Sequence, residues 1–122
     1  MYDGKPEKLK EIKKVRNDTA LPFLEGGEFV KIYFHTDKLI CSACTILPGQ
    51  TGEFDKGHKA AEEVCYCMRG NVVIHFPNSN KYVEVREDDA VIIPEGIPHQ
   101  IFNVGDIKAK MIFFAAPGLG RD

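Results

Sequence analysis

The chain has 122 residues, which suits one domain, and 43% of them are apolar, enough for a single core and too few for a membrane protein. With 16 basic and 18 acidic side chains the net charge is -2. That near-balance argues against a nucleic-acid partner and against an anionic membrane surface, and no apolar run approaches the roughly 20 residues of a spanning helix.

The first 15 residues, MYDGKPEKLKEIKKV, carry no apolar stretch behind their charges, so they do not read as a secretory signal. From Pro6 to Arg16 the apolar residues Leu9, Ile12 and Val15 recur every third position among lysines and glutamates. That spacing fits a short amphipathic helix, and equally an irregular arm or an edge strand. Short apolar runs then follow: Phe29 to His35, Leu39 to Leu47, Val64 to Met68, Val72 to Phe76, Tyr82 to Val85, Ala90 to Ile93, Gln100 to Val104 and Lys108 to Ala115. Pro48-Gly49, Gly70-Asn71, Pro77-Asn78-Ser79-Asn80, Glu87-Asp88-Asp89, Pro94-Glu95-Gly96 and Gly105-Asp106 punctuate them. Runs of this length with regular turn signals predict an all-β barrel or jelly roll. Gly70-Asn71, with no spare residues on either side, predicts a tight two-residue hairpin. The expected division is an N-terminal arm with a first edge segment over 1–28 and the barrel over 29–122.

The 4 cysteines form two close pairs, Cys41/Cys44 and Cys65/Cys67. That is too sparse for a disulfide scaffold, and without a signal segment it predicts reduced thiols and a cytoplasmic protein. Cys41 and Cys44 have opposite parity on a regular strand, which argues against a four-cysteine zinc site. Cys65 and Cys67 share the parity of Glu63, so the expectation is small apolar core residues.

No phosphate-binding glycine loop, nucleophile elbow or H-E-x-x-H helix is present. The chemistry gathers at His58, Glu63 and His99, each beside a turn. His99 lies in IIPEGIPHQIFN, where two prolines and a glycine restrict the backbone and aim the imidazole at little entropic cost. His35 and His75, at strand ends, read as packed or surface residues, and Asn103 reads as a backbone-bonding residue. Phe29, Tyr33, Phe34, Tyr66, Phe76, Phe102, Phe113 and Phe114 read as barrel filling, interface or pocket lining.

PGQTGEFDKGHKAAEEVCYCMRG (48–70) and DDAVIIPEGIPHQIFN (88–103) resemble the two motifs of the small single-domain cupins of the conserved-barrel, RmlC-like kind. The resemblance implies a double-stranded β-helix barrel holding one divalent metal ion: Fe, Mn, Ni, Co or Zn. It assigns His58, Glu63 and His99 as ligands, with spacing to Gly70 choosing Glu63 over Glu62. The sequence departs from the pattern at Lys56, where a first histidine belongs, and at Asp88, where a turn glycine is usual. An ammonium has no lone pair to give a metal. Three alternatives follow: a two-histidine, one-carboxylate centre, recruitment of Asp55 as a fourth ligand, or a metal-free site in which Lys56 supplies the positive charge beside Glu63.

The function implied is a metal-dependent enzyme acting on a small polar or anionic metabolite, of dioxygenase, isomerase, decarboxylase or lyase type, with Glu63 and Lys56 as catalytic candidates. The alternative is a non-catalytic module that binds a sugar or carboxylate at a degenerate metal site. A domain acting only through protein partners ranks last, since no tail or charged patch supports it. A homodimer is implied, with Phe29 to His35 and Met111 to Ala115 as candidate contact strands. No nucleic-acid or membrane partner is expected.

Overall fold

The computed structural model describes residues 4–117, and among them it holds no helix. Nine strands follow one another: β1 (Leu21–Glu25), β2 (Glu28–His35), β3 (Ile40–Ile46), β4 (Glu62–Arg69), β5 (Asn71–Phe76), β6 (Lys81–Arg86), β7 (Ala90–Ile93), β8 (Gln100–Asn103) and β9 (Ala109–Ala116). They form a six-stranded sheet in the order β1-β2-β3-β9-β4-β7 and a three-stranded sheet in the order β6-β5-β8. The eight apolar runs thus become β2 to β9. β1 is the strand those runs did not announce. Its Pro22 has no N–H to give, and the strand lies at the sheet edge, where that is tolerated.

Alternation along each strand builds the core. Val30, Cys44, Met111 and Cys67 stand in one cross-strand row facing inward, and all are buried. On the opposite face Phe34, Cys41, Phe114, Val64 and Ile92 form an outward row across the same sheet. The three-stranded sheet closes the interior with Val72, Ile74, Val85 and Ile101. Fully buried side chains such as Ile46, Ile74 and Met111 each contribute about 1.5–3 kcal/mol by leaving water.

One reading of the sequence changes here, and one left open is decided. Gly70 does not close a hairpin: β4 pairs with β9 and β7, whereas β5 pairs with β6 and β8, so the chain passes from one sheet to the other at Gly70. Its φ of +87° is open to glycine, and a Cβ there would stand 2.9 Å from the Ala109 Cα. A local signal for positive φ marks a bend, and long-range pairing decides that it is a sheet switch. The segment before Arg16 is an irregular arm joined to the barrel by one parallel bridge, Glu7 to Thr36. A helix there would have nothing to bury against: Leu9 and Ile12 are exposed. Other turns match expectation. Phe76 pairs with Lys81 around Pro77–Asn80. Asp88 holds a φ of +69° and its backbone N–H donates to the Cys67 carbonyl, so this departure from glycine changes only a turn.

Candidate metal centre

Two loops and one strand meet at the inner end of a cavity of about 580 Å³. Its walls mix apolar residues, Val30, Ile32, Ile74 and Ile101 among them, with the carboxylates of Glu25, Glu28 and Glu53.

The first loop begins at Gly49 and lies along β8. Gly49 N–H donates to the Asn103 carbonyl, Asn103 N–H to Gln50, and Gly52 N–H to Ile101. The pairing ends in a reciprocal bridge, with Asp55 N–H to the His99 carbonyl and His99 N–H to the Asp55 carbonyl, each 2.9 Å. Asp55 and His99 are therefore direct cross-strand neighbours, whose side chains share one face. Gly57, at φ +90°, turns the chain toward His58, and a Cβ on it would stand 2.7 Å from Ile97 N. The second loop is tied to the first by Gly96 N–H donating to the His58 carbonyl at 2.8 Å. On β4, Glu63 faces inward and is 8% exposed, while its neighbour Glu62 faces outward. Alternation therefore agrees with the spacing that singled out Glu63.

The polar atoms converge. His58 Nε2 lies 3.4 Å from Glu63 Oε2 and 3.5 Å from Asp55 Oδ2. His99 Nε2 lies 3.1 Å from Glu63 Oε1 and 3.6 Å from Asp55 Oδ2. Asp55, His58 and Glu63 each offer a ligand atom within 4.8 Å of the others. Ligands about one ion at ~2.1 Å stand roughly 3.0–3.4 Å apart for right-angled or tetrahedral placement; the two contacts of Glu63 fall in that range and the two of Asp55 lie just beyond it. The imidazole of His99 is oriented from behind: Nδ1–H donates to the Ile97 carbonyl at 2.9 Å, which leaves Nε2 facing the carboxylates. The donor set of nitrogen and hard oxygen atoms, largely shielded from water, fits a divalent ion.

Without an ion the same atoms form a charge network. Hydrogen bonds to Asp55 and Glu63 push the His58 imidazole up to about 11. Burial draws His99 down, but its bond to Glu63 outweighs that and leaves it raised. Burial pushes both carboxylates up, and the two histidines more than reverse this, so Asp55 and Glu63 stay below their ordinary values.

Lys56 lines the rim and is exposed, and the structure pairs it with none of the described carboxylates. It is not brought beside Glu63. Cys65 and Cys67 are buried on the Glu63 side of β4, and Cys44 is buried behind them. All four cysteines are free thiols. Burial raises Cys44 and Cys65 well above the ordinary thiol range, so they are protonated and inert core residues. Asn103 is buried and bonds backbone alone, donating to the Ile46 and Ile107 carbonyls and accepting from Gly105 N–H. His75 stacks on Tyr82 with ring centroids 4.2 Å apart, away from the centre. His35 is buried at the cavity wall.

Three carboxylates of the cavity, Glu25, Glu28 and Glu53, escaped the sequence reading, and Glu28 is the most perturbed. Glu28 faces the cavity from β2, and burial, with Glu25, Glu63 and Asp55 nearby, raises it to about 8. Its parity with Val30 and Ile32 was the available signal. At the edge of a run it reads as a solvated end residue.

An uncharacterised protein of Methanocaldococcus jannaschii is 30% identical over 60 residues, which is 49% of this chain and 46% of that one. The chain thus spans under half the length of that relative. A predicted oxalate decarboxylase of Thermotoga maritima superposes with a TM-score of 0.70 at 19% identity, over 86% of this chain and 99% of its own. The polyketide cyclase RemF of Streptomyces resistomycificus superposes at 0.72 with 17% identity, over 87% and 80%. At these identities the solved structures share the fold. The cupin domain model matches residues 42–115, from within β3 to within β9 and across both loops of the centre, and the chain belongs to the cupin family.

Proposed function

We propose that this cupin holds one divalent metal ion through His58, Glu63 and His99 and acts there on a small polar or anionic metabolite entering through the cavity mouth. One observation carries the reading: Asp55, His58 and Glu63 each offer a ligand atom within 4.8 Å of the others, with His99 Nε2 3.1 Å from Glu63, all lining one cavity. When bound, the ion supplies Lewis acidity to a carbonyl, carboxylate or hydroxyl oxygen. The chain does the rest. Ile97 holds the His99 ring in one orientation. The apolar side chains Val30, Ile32, Ile74 and Ile101 in the wall lower the local polarity and strengthen the electrostatic contacts of the centre. Lys56, at the rim, is placed to meet an anionic group of an incoming ligand. In the metal-free protein Glu63 is the buried base. The similar folds of a predicted decarboxylase and a cyclase support an enzyme of small molecules without choosing the reaction.

Elemental analysis of tag-free protein tests this, with His58→Ala and His99→Ala alongside. Near one ion per chain, lost in both variants, is expected. Protein that cannot be loaded with Fe, Mn, Ni, Co or Zn overturns it. The second reading, a binding module without turnover, is favoured by Lys56 standing where a ligand histidine belongs.

A homodimer through the outer face of the large sheet completes the proposal. Phe29 and Phe114 are exposed there, and Phe34 and Ile92 extend the apolar row. Sedimentation of wild type and Phe114→Lys reads it directly, with a dimer expected only for the wild type. The four free thiols support a reducing, cytoplasmic setting.

A further inference from the structure

Lys56 leaves the ligand set one group short, and the neighbouring residue is held as though to fill the place. The reciprocal backbone bridge sets Asp55 directly across from His99. The two oxygens of its carboxylate are then distinguished. Oδ1 accepts the Gly57 N–H at 2.8 Å, which fixes the carboxylate plane. Oδ2 faces inward, 3.5 Å from His58 Nε2 and 3.6 Å from His99 Nε2. Both distances are long for strong hydrogen bonds and within a few tenths of an ångström of the separation between ligands of one ion. An anchored oxygen behind and a facing oxygen in front is the arrangement of a carboxylate ligand with its outer support. Lys56, one residue on, is exposed at the rim.

We infer that Asp55, in place of a histidine at position 56, is a metal ligand beside His58 and Glu63, giving a centre with two carboxylates that favours hard divalent ions such as Mn²⁺. The inference rests on the metal reading above and adds to it the identity of the missing ligand and the class of ion. Two carboxylates cancel the charge of a divalent ion, where three histidines and one carboxylate would leave a net positive centre. Carboxylate oxygen suits Mn²⁺, whereas imidazole suits Ni²⁺ and Zn²⁺. Loss of Asp55 therefore weakens every ion, and Mn²⁺ most.

The test uses the full chain stripped with chelator. Mn²⁺ is titrated by the electron paramagnetic resonance signal of the free aqueous ion, and Ni²⁺ by calorimetry. Proteins compared are wild type, Asp55→Asn, Asp55→Ala and Lys56→Ala. Asp55→Asn keeps an oxygen for Gly57 N–H and guards against collapse of the loop; thermal melts of the metal-free proteins confirm the fold. Asp55→Asn is expected to weaken Mn²⁺ at least about tenfold and Ni²⁺ several-fold less, with Lys56→Ala within about twofold of wild type. Wild-type Mn²⁺ affinity in both Asp55 variants overturns the inference while the metal reading stands. Equal loss in Lys56→Ala and Asp55→Asn overturns it too. A wild type that takes up neither ion removes both.

Discussion

The two loops that supply the centre are built on different principles. The second, Pro94 to His99, is stiff by its own composition: two prolines and a glycine leave few conformations, and Ile97 orients the imidazole from within the same loop. The first, Gly49 to His58, has little stiffness of its own. It is shaped by lying along β8 and by its bonds to the second loop. One loop carries its geometry in local sequence, and the other borrows it from a partner distant in the chain. The borrowed loop is where the ligand pattern departs from expectation.

The largest effect comes from breaking the borrowed loop. Gly57→Val places a branched side chain at φ +90° and against Ile97 N. Urea denaturation should show a loss of about 3 kcal/mol or more, and metal uptake should vanish with it. Outside both loops, at the end of β8, Asn103→Ala removes two donated bonds and one accepted bond in the interior. A loss of about 2–3 kcal/mol is expected in the same assay, with metal stoichiometry kept in the folded fraction. The contrast sharpens if one variant loses metal and the other only stability.

Glu28, on the opposite wall, gives a smaller and pH-dependent effect. Its carboxyl holds a proton to about 8 in the folded chain against an ordinary value of 4.5, so between those limits the folded state binds more protons than the unfolded. Stability of the metal-free protein therefore falls as pH rises through that window and levels above it. Glu28→Gln should flatten the decline by about 1–2 kcal/mol, read from melts between pH 5 and 9. At the join of the loops, His58 keeps its proton to about 11 without metal, held by Asp55 and Glu63, and an ion must displace it. Metal affinity should then rise by up to about tenfold per pH unit near neutrality, with proton release visible as a buffer-dependent calorimetric heat.

How much was legible follows the same division. The inward rows of β2 to β9 were readable because the strand period is two and each run carries apolar residues at that spacing. Glu63, His99 and Asn103 were readable because their positions depend on alternation or on a proline-restricted loop. Asp55 could be raised only as an alternative, since its place depends on pairing with His99, 44 positions away, and no local pattern encodes that register. Gly70 shows the same limit. Its positive φ was evident, yet whether the chain reverses or changes sheet is decided by the distant strands that β4 and β5 pair with. Glu28 was passed over although its parity was visible, because a charged residue at a strand end is usually solvated.

Glu63 belongs to the six-stranded sheet, while His99 leads into the three-stranded one. Anything gripped by both acts as a clasp across the seam where the barrel would breathe. Occupancy then becomes a mechanical property of the whole shell. Amide hydrogens of β8 and of the strip beside it should exchange more slowly when the clasp is shut, because opening there must first release the guest.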